Sequence, residues 1–308
     1  MSKTVLLLLG GLSAERDVSL TSGNEVQRAL EESGYRVLPF DPGWDVGEKL
    51  PAALSDGVDV VFNALHGKWG EDGNIQGLLN FARVPYTHSG VLASSLAMDK
   101  QLSKLIFAAV GIPIVHDVTV TVDDLRQGDP LARPFVIKPS REGSSVGVKI
   151  VRAGDALDLS GLDEYDALMA EDFVAGRELT VSVLQDRGEQ PRALAVTELK
   201  TKTAFYDYEA KYSADAETEH VVNPTDLPRD VHDSLLRWSE AAHAALGCRG
   251  ATRSDFRFDP DSGRIAILEV NTQPGLTPLS LLPEQALAVG MDFKALVAWM
   301  VENAECDA

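Results

Sequence analysis

Apolar and polar positions recur along this chain with two different periods, and the switches between them mark out its elements. From Lys3 to Asn63, short apolar runs (Val5 to Leu9, Tyr35 to Phe40, Asp59 to Asn63) alternate with helical stretches, the first from about Ala14 to Ser33 and closed by Gly34. Strand and helix in strict alternation predict a parallel sheet. Leu92 to Val110 keeps the helical period without interruption and predicts one helix, stopped by Gly111 and Pro113. Beyond Ile114 the pattern changes to strands: Pro134 to Pro139, Val148 to Val151, Ala167 to Val174 and Gly176 to Leu184. Leu227 to Leu246 is an amphipathic helix ended by Gly247, and no segment repeats another.

The sharpest pattern is a hairpin. Arg253 to Asp259 and Arg264 to Asn271 both alternate at period two, with Pro260-Asp261-Ser262-Gly263 between them as turn chemistry. Residues two apart share a face, so Arg253, Asp255 and Arg257 go together, as do Ile265, Ile267, Glu269 and Asn271. A connection from Pro260 to Arg264 sets Asp259 opposite Ile265 and Asp255 opposite Glu269, side chains about 5 Å apart. Two carboxylates that close repel unless a cation lies between them, and oxygen ligands with an adjacent amide suit Mg2+ or Mn2+. Asp255, Glu269 and Asn271 are therefore a candidate magnesium site, the alternative being an exposed hairpin with solvated charges. Magnesium in turn implies a phosphate ligand.

In a parallel sheet, ligands gather beyond the carboxyl ends of the strands. Two polar clusters fall there: Gly10 to Glu15, and His66 to Gly73. The first lacks the third glycine of a dinucleotide fingerprint, and Glu15 would repel a pyrophosphate but suit an ammonium group. Further on, Lys138 ends a strand, and Ser140 to Gly147 form a Gly/Ser loop with open backbone N–H groups, equipped for phosphate without being a Walker loop. Lys200 to Tyr212 has neither period and holds three of the six tyrosines, as a closing lid would.

The 308 residues allow two or three domains, and 44% hydrophobic with 24% charged residues is ordinary for a globular protein. A net charge of −19 argues against a nucleic-acid or membrane-surface binder. Cys248 and Cys306 show no pairing or metal spacing, which favours a reducing compartment. The Val5 to Leu9 run is too short for a signal peptide, and no stretch is long enough for a bilayer, so the cytoplasm is the expected location.

Read in order, Ser13-Ala14-Glu15-Arg16, His66 to Gly77, Met98-Asp99-Lys100, Arg141 to Gly147, Tyr206 to Tyr212, Arg253-x-Asp255 and Glu269-x-Asn271-Thr272-x-Pro274-Gly275 resemble the D-alanine:D-alanine ligases of the ATP-grasp superfamily over essentially the whole length. The resemblance implies an α/β fold with an α+β lid. An N-terminal Rossmann-like parallel sheet (residues 1–95) would precede a two-subdomain ATP-grasp fold, with the central lid subdomain at 96–180 and the C-terminal subdomain carrying the metal site and ω-loop at 181–308. It implies ATP between two antiparallel sheets, with Lys100 and Lys138 on its phosphates, Ser144 and Ser145 in the phosphate loop, and Glu171, Asp172, Phe173 and Val174 beside adenine. Glu178 would hold the ribose, Phe205 would line the lid, and Lys211 would reach the γ-phosphate. Asp255, Glu269 and Asn271 would hold two Mg2+ or Mn2+ ions, with a monovalent cation as a further ligand.

For substrates, the resemblance assigns the ammonium of the first D-alanine to Glu15, supported by His66 and by a hydrogen-bonded chain through Ser144 and Tyr212. Ser280, Leu281 and Gly275 would receive the second. Arg253 and the N–H of Gly275 would stabilise the tetrahedral oxyanion, and the reaction would make D-alanyl-D-alanine for peptidoglycan through a D-alanyl phosphate. A homodimer is also implied. Two positions depart from the family pattern: Ser254 replaces an apolar residue, and Arg257, on the ligand side by alternation, would either bond a phosphate or pair with an acid. Rival readings are a ligase for D-lactate, which Tyr212 disfavours, another amino-acid ligase, and a nucleotide-binding regulator without turnover.

Overall fold

The computed structural model describes residues 3–143, 146–200 and 218–307, carried on three sheets. The first is parallel, in the order β2-β1-β3, from β1 (Thr4–Leu8), β2 (Arg36–Phe40) and β3 (Val60–Asn63). Val5, Leu7 and Leu9 enter one core with α1 (Arg16–Glu32), while Leu6 and Leu8 enter another with α2 (Val46–Leu54) and α3 (Asn74–Ala82). Burial on both faces is why this strand is apolar throughout, at roughly 1.5–3 kcal/mol for each large side chain removed from water.

The second sheet is antiparallel, in the order β4-β7-β5-β6, from β4 (Asp117–Val120), β5 (Phe135–Pro139), β6 (Lys149–Val151) and β7 (Leu168–Asp172). The third, also antiparallel, runs β10-β9-β8-β11-β12 from β8 (Arg177–Gln185), β9 (Arg192–Lys200), β10 (Glu219–Val222), β11 (Gly250–Asp259) and β12 (Arg264–Asn271). Residues 173–176 connect β7 directly to β8, and so the second sheet to the third.

The expected single helix at Leu92 to Val110 is two, α4 (Val91–Met98) and α5 (Lys100–Ala109). Asp99 is extended (φ −88°, ψ 98°), and its carboxylate accepts the Leu102 N–H and the Arg141 Nε–H, so it caps a new helix instead of continuing the old one. As the first residue of α5, Lys100 is buried rather than placed on a solvated helical face. With α7 (Arg229–Ala245), these helices supply Ala97, Phe107 and Leu235 to a core against Leu179, Val181, Phe256, Ile267 and Val270 on one side of the third sheet. The remaining helices are α6 (Val122–Gln127), α8 (Leu281–Ala288) and α9 (Phe293–Glu302). On the sheet's other side Leu184 and Ala251 join the core of the first sheet, and Arg253, Asp255 and Arg257 are only partly buried.

Candidate active site

The hairpin brings its carboxylates together by a route the alternation did not foresee. Asp259 accepts from the Asp261 N–H and the Ser262 hydroxyl, which tightens the turn. Asp259 therefore pairs with Arg264 and Phe258 with Ile265, instead of Asp259 with Ile265. A β-bulge then leaves Leu268 without an opposite number, and beyond it Asp255 faces Glu269 and Arg253 faces Asn271. The bulge also reverses the alternation in β12. Ile265 and Ile267 join the core under the sheet, so they do not share a face with Glu269 and Asn271. Leu268 and Glu269 both line the same pocket as Asp255.

Both carboxylates are largely buried, with side-chain exposures of 15% for Asp255 and 27% for Glu269, which rules out the solvated hairpin. Arg253 binds Asp255 in a bidentate fork, 2.8 Å to each oxygen, and the Thr180 hydroxyl adds a third bond of 2.8 Å. Lys100 Nζ lies 3.2 Å from Glu269 and donates to the Glu142 carbonyl at 2.6 Å. Asn271 Oδ1 accepts the Gln273 N–H at 2.8 Å, which orients the amide.

Two pockets meet at this point. One is lined by Val136, Lys138, Val146, Val148, Glu171 to Val174, Glu178, Asp255, Arg257 and Leu268, and so lies between the second and third sheets. In its wall Lys138 Nζ reaches Glu171 Oε1 at 2.5 Å, and Lys104 reaches Oε2 at 2.6 Å and Asp117 at 3.3 Å. Burial by itself would push the Glu171 carboxyl up, but the two ammonium groups hold it below its usual range. Lys104 escaped the sequence reading, although its position four residues after Lys100 puts both lysines on one helical face. Arg257 pairs with Glu178 at 3.1 Å, the second of the two roles open to it. Ser254 is fully buried on the opposite side of β11, with its hydroxyl unpartnered.

The second pocket is lined by Glu15, His66, Glu71, Met98, Gly143, Arg253, Asn271, Gly275, Ser280 and Leu281. Glu15 is buried at the start of α1, and a Cβ on either Gly67 or Gly143 would come within 2.9 Å of its Oε1. His66 Nδ1 is 3.0 Å from Glu71 and its Nε2 is 3.3 Å from Ser22 Oγ. The Ser280 hydroxyl meets the Thr277 N–H and hydroxyl, each at 2.9 Å, and a Cβ on Gly275 would sit 2.8 Å from it. Lys100, Glu142 and Glu269 line both pockets, so the two are continuous. Ser144, Ser145, Phe205, Lys211 and Tyr212 lie outside the described residues.

The family described as D-ala D-ala ligase C-terminus matches residues 106–302, and the D-ala D-ala ligase N-terminus family matches residues 45–89. A D-alanine--D-alanine ligase of Acidiphilium cryptum is 54% identical over 307 residues, covering 99% of each chain, and that of Granulibacter bethesdensis is 51% identical over 312 residues, again covering 99% of each. Among solved structures, the D-alanine--D-alanine ligase of Bacillus anthracis complexed with ATP superposes with a TM-score of 0.79 at 31% identity, covering 98% of this chain and 97% of that one. The D-alanyl-alanine synthetase A of Vibrio cholerae gives 0.84 at 27% identity, covering 99% of each. With matches of this identity along nearly its full length, the chain belongs to the D-alanine–D-alanine ligase family of ATP-dependent ligases.

Proposed function

We propose that the two continuous pockets divide the family's reaction between them, the joining of two D-alanines into D-alanyl-D-alanine at the expense of ATP for peptidoglycan precursors. The observation that supports this reading is the sharing of Lys100, Glu142 and Glu269 by both pockets, so that a nucleotide's phosphates in one would border an amino acid's carboxylate in the other. In the pocket between the sheets, Glu171 to Val174 face adenine, Glu178 takes the ribose, and Lys100 and Lys138 take the phosphates. In the other, Glu15 takes the first ammonium group with His66 beside it, and Ser280 and Leu281 receive the second D-alanine. Residues 1–95 act as the amino-acid unit, 96–180 as the lid subdomain, and 181–308 as the metal-bearing subdomain. Lys211, Phe205, Tyr212, Ser144 and Ser145 are assigned to the closing elements from the resemblance alone.

A carboxylate is a poor electrophile because no good leaving group departs from it. The first D-alanine carboxylate attacks the γ-phosphorus, ADP leaves, and an acyl phosphate forms. The amine of the second, once deprotonated, attacks the acyl carbon and expels phosphate. Lys138, released from Glu171 by the stronger charge of the phosphates, neutralises the transferring group. Arg253 and the Gly275 N–H face the oxyanion of the second step.

Asp255, Glu269 and Asn271 fit a divalent ion by their donor set: all are oxygen ligands on one face, and the two carboxylates are already held by cations. Among the described residues, no group of three or more His, Cys, Asp or Glu offers another metal cage. Mg2+ or Mn2+ here, as two ions, would supply charge neutralisation between the phosphates. A monovalent cation is a further proposed ligand.

We also propose a cytoplasmic homodimer. Among the described residues no helix is long and apolar enough to cross a membrane, and Phe81, Leu92 and Leu105 present large apolar side chains to solvent. Light scattering on the purified chain tests the dimer. Phosphate release with D-alanine, Mg2+ and ATP, coupled to chromatography of the product, tests the ligation. Phosphate with dipeptide supports it, phosphate with another product points to a different acceptor such as D-lactate, and no phosphate points to a regulator.

A further inference from the structure

Arg257 lines the pocket between the sheets, and the reaction scheme leaves its charge without a task. It sits directly across from Glu178 in the antiparallel β8–β11 pair. Its side chain is only 13% exposed, and each of its three nitrogens already has a protein acceptor. Nη1 bonds Glu178 Oε2 at 3.1 Å, Nε bonds the Val174 carbonyl at 3.1 Å, and Nη2 bonds the Gly176 carbonyl at 3.0 Å. A guanidinium committed in this way is poorly available as a phosphate ligand, but its planar fork is well suited to fixing three acceptors relative to one another.

Two of those acceptors belong to the strap from 173 to 176 that carries the chain from the second sheet into the third. The strap is pressed on β11 from the other side as well: Gly176 has φ +85°, and a Cβ there would lie 2.3 Å from the Phe258 carbonyl. Val174 and Glu178 line the nucleotide pocket together with Arg257 itself. Holding the strap and the Glu178 carboxylate with one side chain sets the distance between the base-facing and the sugar-facing walls.

We propose that Arg257 is a positioning residue for the nucleotide: it clamps the Val174–Gly176 strap and aims Glu178 at the ribose hydroxyls, and so sets affinity for nucleotide and preference for a ribonucleotide over its 2′-deoxy counterpart. The proposal rests on the reading of this pocket as the nucleotide site.

Calorimetric titration of the whole chain with Mg·ADP and with Mg·2′-deoxy-ADP separates the two. Wild type is expected to bind both and to favour ADP. Arg257→Met is expected to weaken ADP binding by about tenfold or more, the usual effect of losing a charge-assisted bond, and to narrow the preference for ADP. In turnover, KM for ATP should rise with little change in kcat or in KM for D-alanine. Arg257→Lys keeps the charge facing Glu178 but not the fork, and should recover part of the preference. In a Glu178→Gln background, Arg257→Met should no longer alter the preference. If Arg257→Met binds both nucleotides as wild type does, or loses affinity for both equally, the clamp is overturned while the nucleotide site stands. If wild type binds neither nucleotide, the reading of the pocket falls first and the clamp with it. Should the methionine variant fail to fold, the lysine variant and the Glu178→Gln comparison decide.

Discussion

The two pockets differ in how they hold buried polar groups. The pocket between the sheets, proposed for the nucleotide, is walled by full charges already paired with one another: Lys138, with Lys104 behind it, on Glu171, Arg257 on Glu178, Lys100 on Glu269. The amino-terminal side buries imidazoles and shapes its pocket with glycines. Glu15 and His66 are both buried in its wall, and Gly67 and Gly143 close on the Glu15 carboxylate. On the proposed assignment the difference follows from the ligands. A polyphosphate brings several charges, and lysines parked on carboxylates can transfer to it without ever being left bare. A zwitterionic amino acid brings one charge of each sign and little surface, so shape decides.

Removing the charge that joins the pockets gives the largest expected effect. Glu269→Gln leaves the β11–β12 pairing unchanged but takes away one of two facing carboxylates, and turnover should fall by about a thousandfold or more, read as phosphate release, with an unchanged circular dichroism melt. Near-normal activity would overturn the metal assignment. Next is Glu171→Gln, which leaves Lys138 without its anion and Lys104 with Asp117 alone, and should destabilise the fold by about 3 kcal/mol in urea unfolding, with weaker nucleotide binding. Loss of binding without loss of stability would show that the triad is not a parked charge store.

Acid sharpens the contrast from the other side. Burial, with help from His66 and Arg249, lowers the His88 pKa from 6.5 to about 3, and burial lowers that of His243 to about 4. His243 Nε2 lies 2.9 Å from Gln185 Oε1 and Nδ1 lies 2.8 Å from the Thr252 hydroxyl, so the neutral ring donates to the amide oxygen and accepts from the hydroxyl. Both histidines stay neutral when folded, whereas the unfolded chain takes up protons once pH falls below about 6.5. Their contribution is thus complete above that pH and is lost as pH falls toward about 4 and about 3, each histidine costing about 1.4 kcal/mol per pH unit. His88→Asn, which tolerates the local φ of +69°, should reduce the slope of stability against pH by about half between pH 6 and pH 5. The smallest effect is expected from Gly143→Ala: the added Cβ displaces only the end of a flexible carboxylate, so KM for D-alanine should rise by about tenfold with stability unchanged.

Asp255 and Glu269 were legible in sequence because strand alternation and turn chemistry are local properties. The bulge at Leu268 was not, because one extra residue in a strand changes neither composition nor apparent period. The tight turn at Asp259 and this bulge offset each other, so the correct carboxylate pair emerged from an incorrect register. The break at Asp99 was hidden because the apolar period runs through it, and only the meeting with Arg141, 42 residues later, shows why a cap forms there. Lys104 went unremarked for a related reason: a lysine in a helix looks solvated until the fold brings Asp117 and Glu171 to it. Arg257 stood out as unusual, but only the strand pairing revealed its partner.

Gln273, just past β12, reaches back to the first sheet, where its amide accepts from Asn63 Nδ2 at 2.9 Å and donates to the Leu65 carbonyl. Asn63 in turn donates to the Gly70 carbonyl at 3.0 Å, so the loop carrying His66 and Glu71 is bolted to the one carrying Gly275 and Ser280. Any hybrid enzyme that takes its first 95 residues from one relative and the remainder from another must inherit Asn63 and Gln273 as a matched set. A seam that mismatches them would leave two interior amides in search of partners and untie the two loops from each other.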